Sequence, residues 1–181
     1  MTAAPAPAKG PIKRSPELQP LAREHHRALI VALRARSVLA GRAFAGPVVE
    51  FDALVAEVRE HFDTTLASHA AIEDRLLGPE LCRAHGLDAA AAERMVDEHR
   101  RLVACLGRAE DVSADADGRR AALGEYSELL ERHVRFEDRE YFGLLERALP
   151  ADVLAEIGAA LASYESDKAG AATCAPAGLP R

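Results

Sequence analysis

The sequence predicts an all-α protein, an up-down four-helix bundle with an additional short C-terminal helix. Three observations lead there. Alanine, leucine, arginine and glutamate dominate the 181 residues and aromatic residues are only 4%, which favours helix and leaves a sheet few of its usual side chains. Apolar residues recur at spacings of three and four in each long segment, as on a helix with one buried face. Gly-Pro pairs and polar loops divide the chain into segments of bundle-helix length.

Residues 1–17 form an Ala/Pro/Lys-rich leader with no apolar signal core and are expected to be disordered. A bundle spans 18–165. Its first helix runs from about Leu21 to Ala40, with Pro20 near the first turn, where the missing N–H costs nothing. Gly46-Pro47 interrupts the chain, and a second helix covers Val48 to Leu77 until Gly78-Pro79 ends it. A short helical turn closes at Gly86, where His85 suits a helix C-terminus. Asp88 is a plausible cap for a third helix, Ala89 to Glu110. After the polar loop 111–118, a fourth helix spans Arg119 to Leu149. Pro150 opens the short last helix, Ala151 to Tyr164, with Leu154, Ile157 and Leu161 on one stripe. Residues 166–181 form an Ala/Gly/Pro-rich tail, expected to be disordered.

Composition narrows the function. A net charge of −6 with no basic block argues against nucleic acid, and no run reaches the roughly 18 apolar residues of a membrane helix. Cys82, Cys105 and Cys174 form no Cys-x-x-Cys pair, so neither a disulfide framework nor a zinc ribbon is expected. A reducing cytoplasm is the default location.

The chemistry lies in a repeated motif. His69-Ala-Ala-Ile-Glu73 and His133-Val-Arg-Phe-Glu137 each put a histidine four residues before a glutamate, one above the other on a helix face. Single histidines, His25 and His99, lie on the two other long helices. Measured from His69 at about 100° per residue, the apolar residues Phe51, Val55, Val58, Phe62, Leu66 and Leu76 fall within about 60° of it, and so does Glu73. Ala122, Tyr126, Leu129, Leu130, Phe136 and Leu144 similarly flank His133 and Glu137. Met95, Val96, Leu102, Val103 and Leu106 surround His99. A buried histidine can be satisfied by a backbone carbonyl, but an unpaired buried carboxylate is costly, and neither glutamate has a lysine or arginine on its stripe. Four imidazoles and two carboxylates converging in a bundle suit two metal ions: iron, zinc or manganese.

The adjacent pair His25-His26 cannot face the core equally. The stripe of Leu18, Leu21, Leu29, Ala32 and Leu39 centres on His25, which is taken as the ligand, with His26 as its alternative. His61 lies about 80° from the stripe centre and reads as a surface or rim histidine. Around the site, Tyr126 either donates to a bound species or fills core space. Glu140 shares His133's face, to line an access path or to pair with an arginine, and Thr65 is a candidate supporting hydroxyl.

The order of histidine, His-x-x-x-Glu, histidine, His-x-x-x-Glu resembles the hemerythrin-like (HHE cation-binding) family. The local sequence resembles it too, at Arg23-Glu24-His25-His26-Arg27-Ala28-Leu29, Asp97-Glu98-His99-Arg100-Arg101-Leu102 and His133-Val134-Arg135-Phe136-Glu137-Asp138-Arg139-Glu140. Successive ligand histidines are 44, 30 and 34 residues apart, and the resemblance covers about residues 18 to 149. It implies two iron ions with an oxo or hydroxo bridge, spanned by Glu73 and Glu137. It further implies binding or sensing of O2, NO or peroxide, or the handling of iron, with an electron-transfer or iron-acceptor protein as a possible partner. The enzymatic alternative is a di-iron oxidoreductase or an iron-centre repair protein in nitrosative or oxidative stress, although the cysteine-containing N-terminal module of many repair proteins is not expected here. A metal-free bundle is the third reading. Ferritin-like bundles use Glu-x-x-His, with the glutamate first, and no such pair is present. Oxygen-carrying hemerythrins have a fifth histidine one turn from the third-helix ligand. Met95 and Val103 occupy those positions here, leaving each iron about one open position.

Overall fold

The structure, a computed structural model, describes residues 14–173. It is all-α, with no strand among those residues. Helix α1 spans Gln19–Leu39 with Pro20 in its first turn. The second rod has three parts: α2, Phe51–His61, a π-helical turn, Phe62–Leu66, and α3, Ala67–Leu76. The short α4 is Pro79–Ala84, and α5 is Ala90–Glu110. The fourth rod repeats the pattern of the second, with α6, Ala116–Phe136, a π turn, Glu137–Tyr141, and α7, Phe142–Ala148. Last comes α8, Ala151–Thr173.

Capping follows the local sequence. Asp115 accepts from the Gly118 N–H at the start of α6, and Asp88 accepts from the Ala90 N–H at the start of α5. A side chain at Gly78 would collide with the Asp74 carbonyl, so only glycine lets α3 end where it does.

Helix α6 packs against both α1 and α5, and α2 reaches α1 and α5 as well. The apolar interior is in two clusters. One gathers Ala28, Ala32, Leu54, Val58, Leu66, Leu102, Leu106, Leu123 and Leu130 with their neighbours. The other gathers Leu21, Ile72, Leu77, Met95, Phe136, Tyr141, Phe142, Leu145 and Leu161. Each long rod contributes to both, and the predicted ligands fall at the changeover: His25 between Leu21 and Ala28, His69 between Leu66 and Ile72, His99 between Met95 and Leu102, and His133 between Leu130 and Phe136.

Three expectations are revised. The leader was placed at 1–17, but Arg14 is buried, ion-paired with Glu146 at 3.1 Å and set over the Phe142 ring, while the Ser15 N–H donates to Glu146. The last helix is not short: it has 23 residues. Its Ala-rich sequence sustains helix, Ile157 and Leu161 bury in the second cluster, and Lys168 is tied to Glu24 at 2.7 Å. Val103, placed on the buried stripe, is exposed. Residues 1–13, the rest of the expected leader, and 174–181 of the expected tail, Cys174 included, lie outside the described residues.

Candidate metal centre

His25, His69, Glu73, His99, His133 and Glu137 are all buried, and both glutamates are fully so. They form two groups of four that share Glu73 and Glu137: one with His25 and His69, the other with His99 and His133, the candidate atoms of each group lying within 4.8 Å of one another. His26, by contrast, is exposed.

The carboxylates face both groups. Glu73 Oε1 is 3.1 Å from His69 Nε2 and 3.8 Å from His25 Nε2, while its Oε2 is 3.4 Å from His99 Nε2. Glu137 Oε2 is 3.2 Å from His25 Nε2, and its Oε1 is 3.2 Å from His133 Nε2 and 3.9 Å from His99 Nε2. Each carboxylate therefore offers one oxygen to each histidine pair. The i, i+4 spacing sets the two shortest in-helix contacts.

The four Nε2 atoms can converge because every Nδ1 is held from behind. His25 Nδ1 donates to Asp138 at 3.0 Å, His69 Nδ1 to Glu24 at 2.8 Å, His99 Nδ1 to Asp74 at 2.7 Å and His133 Nδ1 to Glu98 at 3.0 Å. A carboxylate on Nδ1 fixes the tautomer with its Nε2 lone pair inward and raises its basicity. Each of these carboxylates is the sequence neighbour of a ligand on another helix: Glu24 of His25, Asp74 of Glu73, Glu98 of His99, Asp138 of Glu137. The supports thus close a ring, α1 to α3, α3 to α5, α5 to α6, and the second π turn back to α1. Sequence reasoning missed these four acids. The signal was present, since an acid adjoins one ligand on every long helix.

Electrostatics agree with the geometry. Burial alone would lower the imidazole pKa values, but the carboxylates prevail. Glu73 and Glu24 push His69 up to about 9, Asp74 and Glu73 push His99 up to about 10, and Asp138, Glu137 and Glu73 hold His25 well above its ordinary value. Burial would raise Glu73, yet the positive charge of the His69 imidazole, with His25 and His99 close beside it, holds it well below the usual carboxylate range. The site demands positive charge, as protons on imidazoles or as metal ions. No lysine or arginine among the described residues reaches Glu73 or Glu137. Arg94 pairs with Glu98 and Lys168 with Glu24, which leaves a formal charge of −4 among the six carboxylates, the amount that two divalent ions supply.

Whether the residues suit metal is tested by what they leave unsatisfied. Both oxygens of Glu73, both of Glu137, and Nε2 of His99 and His133 are buried without a hydrogen-bond partner. Six orphaned donor atoms in one place are costly for a fold unless something ligates them. Imidazole with carboxylate is a donor set for iron, zinc or manganese.

The other predicted residues are placed as follows. Thr65 is half-buried on the first π turn. Tyr126 is fully buried in the first apolar cluster with its hydroxyl unpartnered; burial raises its pKa, and the ionisable groups that bear on it are Arg59 and Cys105. Glu140 is exposed. The π turn spends one extra residue there, so the buried position two turns beyond His133 falls to Tyr141, whose hydroxyl donates to the Leu77 carbonyl. For the same reason Leu145 buries fully in place of Leu144. His61, expected on the surface, is 4% exposed. Skipping one residue at the first π turn brings it from about 80° to about 20° from the His69 direction. His85 is exposed at the end of α4.

No helix among the described residues is long and apolar enough to cross a membrane. No curated protein and no solved structure matches the chain. Residues 18–145 match the hemerythrin HHE cation binding domain, a stretch that contains both histidine pairs, both shared glutamates and all four supporting acids, and the chain belongs to that cation-binding family.

Proposed function

We propose that the protein binds a pair of iron ions in the middle of an up-down four-helix frame and presents them to a small ligand: O2, NO or peroxide. The observation that carries this reading is the division of each shared carboxylate: Glu73 turns one oxygen toward His25 and His69 and the other toward His99, and Glu137 turns one toward His25 and the other toward His99 and His133. A single-metal site has no use for two such glutamates. When bound, the iron pair supplies an exchangeable coordination position and a change of oxidation state.

The side chains do the rest. Glu73 and Glu137 hold both positions together. Glu24, Asp74, Glu98 and Asp138 keep the four Nε2 atoms aimed inward, so little reorganisation accompanies binding. The two apolar clusters keep bulk water from both ends of the site. Charge also fits: two ferrous ions neutralise the residual −4, and so do two ferric ions with a bridging oxide. Catalytic reduction of peroxide or nitric oxide, or iron-centre repair, would use the same residues together with an electron donor or iron acceptor.

Protein isolated from iron-sufficient cells is expected to hold about two irons per chain, with near-ultraviolet bands of an oxo- or hydroxo-bridged ferric pair that change on reduction and on exposure to O2 or NO. Iron quantification beside the optical spectrum is the test. One metal or none in fresh, unchelated protein rules the dinuclear reading out.

A further inference from the structure

The four acids that hold the ligand histidines differ in their own partners. Among the described residues, Asp74 and Asp138 are ion-paired only with His99 and His25, whereas Glu98 and Glu24 each also hold a cation. For Glu98 the cation is Arg94, four residues back on the same helix at 2.9 Å, so that pair is built into α5. For Glu24 it is Lys168, 2.7 Å from Oε1, which comes from α8 and is 144 residues away in the chain. Lys168 is the only basic residue of α8, and α8 lies beyond the stretch that the family matches.

The lysine is seated for this contact. Its Nζ also donates to the Tyr164 hydroxyl, one turn earlier on α8, at 3.2 Å, and lies 5.3 Å from the centre of that ring. Tyr164 in turn donates to Ser68, the residue before His69, at 2.9 Å. Ile157 and Leu161 anchor α8 in the second apolar cluster. The two oxygens of Glu24 are thereby divided, Oε1 to Lys168 and Oε2 to His69 Nδ1. A partly exposed ion pair of this kind adds little to stability, but its charge lies one carboxylate away from a metal ligand. A carboxylate on Nδ1 makes the ring a stronger donor to metal, and a cation on that carboxylate takes part of the effect away. Net charge and hydrogen bonding around iron set its potential.

We propose that Lys168 is a positioning residue for the metal centre: seated by α8, it shares Glu24 with His69 and holds the iron pair at a higher reduction potential than the site has without it. This rests on the two-iron reading. Two effects have the same sign. Without the lysine the site is one unit more negative, which favours the more highly charged, oxidised ions. Glu24 is also left to act on His69 alone, which strengthens the ring as a donor and favours the oxidised ions again. The Arg94 pair lasts as long as α5 does, but the Lys168 pair needs α8 docked, so the position of α8 is read out at the metal centre.

The test uses full-length, iron-loaded protein. Wild type, Lys168→Met, Lys168→Arg and Arg23→Met are compared for iron per chain, for the reduction potential by mediated optical titration, and for the thermal midpoint after iron is removed. Arg23 is the control: it is exposed, adjoins Glu24 and bonds only the Gln19 carbonyl, so its loss removes the same charge without touching the acid. All four proteins are expected to hold about two irons. Lys168→Met should shift the potential downward, Lys168→Arg should restore most of the shift, and Arg23→Met should move it clearly less. An unmoved potential in Lys168→Met overturns the proposal, and a fallen thermal midpoint beside it marks a lysine that only clasps α8. An equal shift in Arg23→Met overturns it as well, because any nearby charge would then serve. Loss of iron from Lys168→Met makes the lysine a support of binding and overturns it too. Wild-type protein with fewer than two irons overturns the reading beneath, and this one with it.

Discussion

Glu73 and Glu137 are the residues on which the most depends, because each lies fully buried with both oxygens facing imidazole nitrogens. Glu73→Ala or Glu137→Ala is expected to release at least one iron, since either change removes a ligand from both positions. The supporting acids act one step further out. Asp74→Asn keeps size but weakens the hold on His99 Nδ1, and iron affinity should fall about 10- to 100-fold. His26→Ala and Glu140→Ala, at exposed positions, should leave iron content as it is. Competition with a graded chelator orders the series. Asp74→Asn binding iron like wild type would show that the acid ring only decorates the site. The six inward residues were legible from sequence because i, i+4 spacing on an apolar stripe is a one-helix property. The acids that support them were not, because each serves a histidine on another helix and only the packing shows which.

At the scale of the element, the π turns decide what a helical wheel can say. A wheel drawn from His69 works within α3 and fails across Phe62–Leu66, where an extra residue enters without advancing the face. His61 was misplaced for that reason, as were Glu140 and Leu144 on the other side of the second turn. Nothing in residue type marks either turn, so no sequence period could reveal them. The turn itself is open to test. Deleting the exposed Thr64 converts the π turn to regular helix and keeps both flanking faces as they are, so the variant should fold, bind iron and lose little stability. Deleting the exposed Glu57, in regular helix, instead rotates the upstream residues by about 100° and turns the buried Leu54 from the core, at a cost of roughly 1.5–3 kcal/mol for that side chain alone. Thermal midpoints of the two deletions, measured side by side, separate the cases. Equal losses would mean that the extra residue has no structural meaning.

For the whole molecule, the charge of the site links stability to pH with a definite sign. His25, His69 and His99 have raised pKa values in the folded chain. Their contribution to the iron-free protein is fully present below the ordinary imidazole value of 6.5 and is lost as pH climbs through about 9 to 10. Glu73 works at the other end: its contribution is present above the ordinary 4.5 and fades as pH falls through its lowered value. Iron-free protein should therefore be most stable between about pH 4.5 and 6.5 and should weaken toward pH 10. Iron affinity should rise over the same upper range, because metal replaces the protons. Melting curves of chelated protein at a series of pH values settle this. A midpoint that rises from pH 6.5 to 9 contradicts the assignment.

The division of the interior into two apolar clusters, with the ligand layer between them, bears on cooperativity. The layer is crossed by the same four rods that build both clusters, but within it the contacts from rod to rod run largely between charged and titratable groups, with the His25 ring stacked on Phe142. With ions in place, the layer is as firm as the cores on either side, and the bundle should melt as one unit. Without them, the clusters around Leu106 and Phe142 become neighbouring foldons joined mainly along their helices. A calorimetric enthalpy that exceeds the van't Hoff value only in the iron-free protein would be the thermodynamic mark of that separation, and the metal pair would then be the fold's coupling as well as its chemistry.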